Sequence, residues 1–293
     1  MDAVITYVNG MEPIWRLQYN LHSNGKCFRH NKFTDYGTLR FVLRGISEHM
    51  KFIDRVFLVV SNIEQVPDYV NDNVVIITHD MFIPKEYLPT FNSNTIECFL
   101  WNIPDLSEEF IYFNDDMIPV NKMEKEDFFM DGLPCLKFNK HKTHSFGFNN
   151  LIRFSSYWAS VICKINDGVE YLWTQHTMTP FLRSKYFEAY NKNEDVIKYT
   201  ISNIRSDWQA TQYYFSNFLF YSNSFVDKSI TYNYIKTNIS VETFTEEINN
   251  SVNLQAICIN DYGILKGHSL KESVQVVNDE LNKLLPNNGI YEK

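Results

Sequence analysis

FIYFNDDMIPV, residues 110–120, runs through four apolar or aromatic side chains, Phe110 to Phe113, straight into Asn114, Asp115 and Asp116, and then turns apolar again at Met117. A run this apolar reads as a short strand buried on both faces. Adjacent ionised carboxylates repel each other and resist dehydration, so at the end of such a strand they need a cation or a turn to serve. Asn-Asp-Asp suits Mg²⁺ or Mn²⁺, hard cations that prefer carboxylate and phosphate oxygens. The same residues also favour a plain turn, and spacing alone leaves both readings open.

Upstream, Ala3 to Val8 is a β-branched and aromatic run closed by Asn9-Gly10, a buried strand followed by a tight turn. Asp35 is placed to cap a helix in which Leu39, Leu43, Ile46 and Met50 recur at helical spacing, and Arg55 to Val60 returns as a strand. Val74 to Thr78 supplies another strand. Asn94 and Glu97 have capping-box spacing for a helix that must stop before Pro104. This alternation predicts an α/β fold with a mainly parallel sheet covered on both faces, whose ligands sit beyond the strands' carboxyl ends. Asn9, His79-Asp80 and Asn114-Asp115-Asp116 all fall at such ends.

Downstream of about Leu136 the segments become polar and aromatic. Trp208 to Phe220 reads as helix, and Ile230 to Ile235 and Leu254 to Ile259 read as strands, which predicts a helical insertion in the C-terminal half. Ser269 and Glu272 form a second capping box ahead of a stripe of Leu270, Val274, Val277, Leu281 and Leu284 that should dock on the core. The polar side of that helix mixes both charge signs, which gives little attraction to anionic lipid. The expected division is a core over 1–135, a helical part over 136–225 and C-terminal elements over 226–293.

The 293 residues, 44% hydrophobic and 16% aromatic, are ample for a packed core. The net charge of −8 comes with no Lys/Arg run, so nucleic acid is not an expected partner. Cysteines 27, 98, 135, 163 and 258 form no CxxC pair, which argues against a disulfide framework and for a reducing compartment. No stretch reaches 18 apolar residues, and MDAVITYVNG lacks a basic n-region, so no transmembrane segment or signal peptide is expected.

Several other residues are candidates for chemistry. Arg40 and Arg44, one helical turn apart, repel mildly; a diphosphate between them would relieve this, as would ion pairs with Glu48 or Asp35. His79 and His176 are imidazoles suited to taking a hydroxyl proton. Arg205 and Asp207 precede the aromatic helix, where Asp207 is also placed to act simply as its cap.

Taken in order along the chain, these pieces resemble the blocks of the Stealth family of sugar-phosphate transferases. AVITYVNGMEPIW resembles the first block. TDYGTLRFVLRGI, RVFLVVSN, VVIITHD, LPTFNSNTIE and FIYFNDDMIPV follow the second segment by segment. GFNNLIRF through QHTMTPFLRS resembles the third and NIRSDWQATQYYF the fourth, so the likeness spans residues 2 to about 220. One departure is Glu12, where the first block usually has Asp.

The resemblance implies a GT-A-like, Rossmann-type nucleotide-sugar fold. It implies transfer of a sugar-1-phosphate, of the hexosamine type, from a UDP-sugar donor to a hydroxyl of a polysaccharide or glycolipid acceptor, with release of UMP, in capsule or surface polysaccharide synthesis. It implies Asn9, Gly10, Arg40, Arg44, Asn114 and Asn149 around the nucleotide sugar, Mg²⁺ or Mn²⁺ at Asp115 and Asp116, and His176, Asp116, Arg205 and Asp207 as catalytic groups. Within this scheme His176 is the general base and His79 the reserve. The expected location is the cytoplasm, including the inner face of the plasma membrane. The competing expectations are a metal-dependent glycosyltransferase releasing UDP and a catalytically silent glycan-binding relative.

Overall fold

The computed structural model describes every residue except 24–32, 141–147, 166–169 and 261, so Cys27 lies outside the described residues. The chain opens with strand β1 (Asp2–Thr6), helices α1 (Pro13–His22) and α2 (Thr38–His49), and strands β2 (Arg55–Val60) and β3 (Val74–Thr78). The short helix α3 (Ser93–Glu97) then leads to strands β4 (Glu109–Asn114) and β5 (Met117–Pro119). Strands β6 (Phe129–Met130), β7 (Leu133–Leu136) and β8 (Phe138–Lys140) precede the long helix α4 (Phe148–Ile162). After β9 (Leu172–Thr174) and β10 (Thr179–Leu182) come helices α5 (Arg183–Lys192), α6 (Glu194–Thr200) and α7 (Gln212–Tyr221). Strands β11 (Val226–Asp227) and β12 (Tyr232–Lys236), helix α8 (Val241–Asn250), strand β13 (Ala256–Asn260) and helix α9 (Leu270–Leu284) complete the order.

The central sheet has the order β10-β4-β1-β2-β3, with β4, β1, β2 and β3 mutually parallel and β10 antiparallel on β4. The α/β expectation of a mainly parallel sheet holds. The segment after Leu136 is rich in helix and also returns β10 to this sheet. Alternate residues of each central strand feed opposite layers: Ala3, Ile5, Ile111 and Phe113 enter the core on one face, and Val4, Phe110 and Tyr112 the core on the other. Burial on both faces is why these strands read as unbroken apolar runs.

β5 belongs to a second sheet of order β12-β13-β5. The chain therefore leaves the central sheet at Asn114, turns through Asp115-Asp116 and enters the second sheet at Met117. The Ile259 amide donates to the Asp116 carbonyl at 3.0 Å and ties the corner to β13. β5 in turn presses on α2 at Gly45, where an added Cβ would lie 2.2 Å from the Pro119 carbonyl oxygen, so only glycine permits this approach.

Three expected helix starts differ. Asp35 does not cap α2; its carboxylate accepts from the Tyr7 hydroxyl at 2.5 Å and the Gly37 amide at 2.6 Å, and Gly37 itself precedes the helix in a left-handed conformation at φ 76°. α3 starts after Asn92, whose side chain accepts from the Asn94 amide, and the Asn94/Glu97 box does not form because Glu97 has turned into the interior. α7 begins at Gln212 with Thr211 as its cap, so neither Trp208 nor Asp207 belongs to it. The Ser269/Glu272 box does form on α9, which buries Val277 and Leu281 and leaves Leu270 exposed. Among the described residues no helix is long and apolar enough to cross a membrane.

α9 and the chain end are held to α2 by Arg44. Its guanidinium is buried and donates to Glu292 Oε2 at 2.8 Å, Asn282 Oδ1 at 2.9 Å, the Leu285 carbonyl at 3.0 Å and Asn288 Oδ1 at 2.8 Å. Removing one member of a buried ion pair strands the other charge, so Glu292→Gln is expected to cost about 3–5 kcal/mol. Urea unfolding followed by circular dichroism measures this; an unchanged midpoint would mean that the neutral oxygens alone satisfy Arg44.

Candidate active site

The sheet's carboxyl edge opens into a cleft of ≈ 1020 Å³. Each wall arrives by a different route. β1 delivers Thr6 and Tyr7, and β4 delivers Asn114, Asp115 and Asp116 at the corner between the two sheets. Glu97 comes from the end of α3, His176 from the connection between β9 and β10, and Arg205 and Asp207 from the connection that precedes α7. The predicted residues Asn114, Asp115, Asp116, His176, Arg205 and Asp207 thus face one space despite their separation in sequence.

At its centre His176 Nε2 stands 3.6 Å from Asp116 Oδ2, and both side chains are mostly shielded from solvent, at 20% and 17% exposure. The imidazole meets the Tyr234 ring edge-on at 5.6 Å between centroids. His176 Nε2 and Asp116 Oδ1 are buried without a hydrogen bond of their own. Buried polar atoms are costly when unpaired, so both are poised for something that enters the cleft. Arg205 is exposed and its guanidinium donates to the Ser93 hydroxyl.

Glu97 is the functional group that the sequence reading missed. Its carboxylate accepts from the Gln212 amide at 2.7 Å and faces the cleft from an almost fully buried position. Burial pushes its pKa up, opposed by the Gln212 amide and by the charges of Arg205 and His176. The available signal is a lone acid ending the otherwise uncharged stretch TFNSNTIE, whose spacing from Asn94 also fits a capping box. His79 also lines the cleft and is buried, which pushes its pKa down to about 4 against a weaker pull from Asp80. It is therefore a neutral imidazole at neutral pH.

Five expected site residues are not gathered here. Arg44 is committed to Glu292 and the chain end, and Arg40 pairs with Glu292 at 3.3 Å and lies over the Tyr69 ring at 4.3 Å, so neither guanidinium lines the cleft. The anion that relieves their repulsion is a carboxylate of the chain itself. Asn9 exchanges backbone hydrogen bonds with the Gln65 amide, and its Oδ1 accepts from Met11. Gly10 donates to the Phe33 carbonyl. These two shape the β1–α1 turn, and Asn149 stands two residues before Leu151, which does line the cleft. Glu12, the departure in the first block, caps α1 by accepting from the amides of Ile14 and Trp15.

The donor set bears on a divalent cation. Asp116, His176 and Cys258 each place a ligand atom within 4.8 Å of the others. Burial first and Asp116 second push the Cys258 thiol pKa well up, so it stays protonated and suits a hard cation poorly. The carboxylates of Asp115 and Asp116, with the unbonded Asp116 Oδ1, are the groups that fit Mg²⁺ or Mn²⁺.

Fold and cleft define a class: a parallel α/β protein with carboxylate, imidazole and guanidinium groups converging where the strands end. Residues 32–135 match conserved region 2 of the Stealth proteins. Across the whole chain the protein is 26% identical over 337 aligned positions to the receptor polysaccharide phosphotransferase WefC of Streptococcus oralis, covering 100% of this chain and 99% of that one. It is 36% identical over 140 residues to a capsular polysaccharide phosphotransferase of Actinobacillus suis and 37% over 139 residues to the exopolysaccharide phosphotransferase cps2G of Lactiplantibacillus plantarum. Those two alignments cover 44% and 46% of this chain and 37% and 41% of the relatives. Among solved structures, the galactosyltransferase LgtC in complex with donor and acceptor sugar analogues superposes with a TM-score of 0.42 at 9% identity, covering 95% of this chain and 96% of that one. Conserved region 2 and the polysaccharide phosphotransferases among its relatives support the resemblance of this chain to the Stealth sugar-phosphate transferases.

The depressed His79 pKa makes a pH signature. Between the ordinary value of 6.5 and about 4 only the unfolded chain binds this proton, so the stabilisation is complete above 6.5 and is lost as pH falls through that window. The loss from this group is on the order of 3 kcal/mol. Urea midpoints measured from pH 7 to pH 4 are expected to fall less steeply for His79→Gln than for the wild type; parallel curves would contradict the burial argument. Glu97, whose pKa is raised, works in the opposite direction and cancels in this comparison.

Proposed function

We propose that this protein transfers a hexosamine-1-phosphate from a UDP-sugar to a hydroxyl of a growing surface polysaccharide and releases UMP. The observation that carries the reading is the approach of Asp116, His176, Glu97 and Arg205, from four separate stretches of chain, to one cleft. The polysaccharide phosphotransferases among its relatives support the reaction class.

In this mechanism the acceptor oxygen attacks the β-phosphorus of the donor. The new P–O bond forms the phosphodiester, the bond to the bridging oxygen breaks, and the electron pair leaves with UMP. The hydroxyl proton passes to His176 Nε2, whose imidazolium is stabilised by the Asp116 carboxylate at 3.6 Å. Arg205 neutralises the transferred phosphoryl group, a role in which an arginine is worth about 10³ to 10⁵ in rate. A divalent cation held by Asp115 and Asp116 would supply charge neutralisation at the departing phosphate. Glu97, within electrostatic reach of Arg205, and Asp207 face the same cleft and would orient the acceptor there. Residues 1–135 serve the nucleotide sugar, 136–225 the acceptor, and 226–293 brace the corner, with the protein working in the cytoplasm or at the inner face of the plasma membrane.

Phosphoryl transfer depends mainly on positioning and electrostatics, so the nucleotide product distinguishes the chemistries. Incubation with UDP-hexosamines, Mg²⁺ and glycan acceptors is expected to release UMP. UDP would mean attack at the anomeric carbon, and no nucleotide would mean a silent binder. His176→Ala is expected to lower turnover by roughly 10² to 10⁴ with an unchanged circular dichroism spectrum. Near wild-type turnover in that variant would remove His176 from the mechanism.

A further inference from the structure

A second cavity, of ≈ 770 Å³, is lined by Trp208, the chain neighbour of Asp207 in the cleft. Six aromatic rings line it: Phe154, Tyr157 and Trp158 of α4, Tyr171 before β9, Tyr199 of α6, and Trp208. Among the described residues Val196 is the one aliphatic side chain of its lining, and the polar groups there are Arg153, Asp195 and Thr200. Tyr157, Tyr199 and Trp208 are exposed at 50%, 91% and 57%, a high degree of exposure for rings of this size.

Its position relates it to the cleft. Asp207 lines the cleft and its neighbour Trp208 lines the aromatic cavity; along α4, Leu151 lines the cleft and Arg153 and Phe154 the cavity. Two separate stretches of chain therefore present one residue to each space. A substrate long enough to pass from one to the other would follow these two walls.

We propose that this groove is a glycan-binding subsite that holds the acceptor saccharide several sugars away from the reacting hydroxyl. The proposal rests on the reading of the cleft as a site of transfer to a glycan. A pyranose ring has a face of C–H groups that packs flat on an aromatic ring, with its hydroxyls left at the rim for hydrogen bonds. Tyr and Trp, apolar in body and polar at one edge, suit that dual character better than aliphatic side chains do. Arg153, held over the Tyr171 ring at 5.3 Å, and Asp195 offer a donor and an acceptor at the rim. A lipid surface fits less well, because the rim carries one cation and one acid and the chain is acidic overall, at −8.

Trp158 and Trp208 supply a direct readout, since stacked sugars alter indole fluorescence. Neutral hexose- and hexosamine-containing oligosaccharides of increasing length are titrated into the whole protein without donor. The expected result is a saturable fluorescence change that strengthens with oligosaccharide length. It should weaken about tenfold in Tyr199→Ala and again in Tyr157→Ala, exposed positions whose loss leaves the fold intact; tenfold corresponds to about 1.4 kcal/mol. In turnover assays the same variants should raise KM for long acceptors and leave KM for the shortest acceptor unchanged. Absence of a length dependence, equal affinities in wild type and variants, or binding that instead follows phosphatidylglycerol vesicles and is lost in the same variants would overturn the proposal. If UMP is released but the fluorescence change is absent, the groove reading alone fails; if oligosaccharides bind but no UMP appears, the reaction reading alone fails.

Discussion

The structure depends on what happens after Phe113. Phe110 to Phe113 are fully buried, packed on both faces of the central sheet, so the chain cannot carry a charge until that strand ends. It then has only two residues before Met117, which must pair in a different sheet. Asp115 and Asp116 occupy this corner. The Ile259 amide fixes the Asp116 carbonyl from β13, leaving the carboxylate to point into the cleft. Two sheets that meet at one short turn thus hold an acid rigidly at the edge of an apolar core, where a cation or an imidazolium gains most from it.

The C-terminal elements make that corner rigid. β13 braces β5, β5 presses on α2 at Gly45, and α2 in turn grips α9 and the chain end through Arg44. The buried guanidinium has oxygens on several sides, and Glu292 Oε2 and Oε1 lie 2.8 and 3.2 Å from it. A charge desolvated to this degree is tolerated only in such company, which makes the docking of the last residues close to all-or-none. The cleft is therefore tied to a part of the sequence that contributes little to its lining.

How much of this was legible in the sequence follows from which interactions are local. Strands buried on both faces announce themselves as apolar runs, so β1 to β4 and a mainly parallel sheet were readable, while their order in the sheet was not. The strand end at Asn114 to Asp116 was readable because no other charge falls between Phe110 and Val120, but the passage into a second sheet was not. Apart from the start of α7, which Thr211 caps in place of Asp207, misreadings arose where a side chain had a better partner far away. Asp35 had the spacing of a helix cap, but the Tyr7 hydroxyl took it. Glu97 had the spacing of a capping box, but the Gln212 amide, 115 residues away, drew it inside and into the candidate site. Arg40 and Arg44 were rightly read as wanting an anion, and only the fold could bring Glu292 to them. Capping motifs and charge spacing describe what is available within one turn of helix, and a buried tertiary partner in low dielectric outweighs it.

The same principle explains why the two cavities differ. The cleft collects charged groups from distant segments because each is held by a buried backbone or a neighbouring sheet; Glu97 and Asp116 keep their positions at a desolvation cost that the surrounding fold supports. The aromatic groove needs no such support. Four of its rings stand on α4 and α6, with Tyr171 and Trp208 beside them; Tyr199 is almost wholly in solvent, so contact with another molecule is what would bring most of that ring out of water. Charge held inside and aromatic surface left outside, joined at Asp207 and Trp208, is an arrangement in which chemistry is rigid and recognition is adjustable. The transfer to a glycan proposed above would draw on both properties at once.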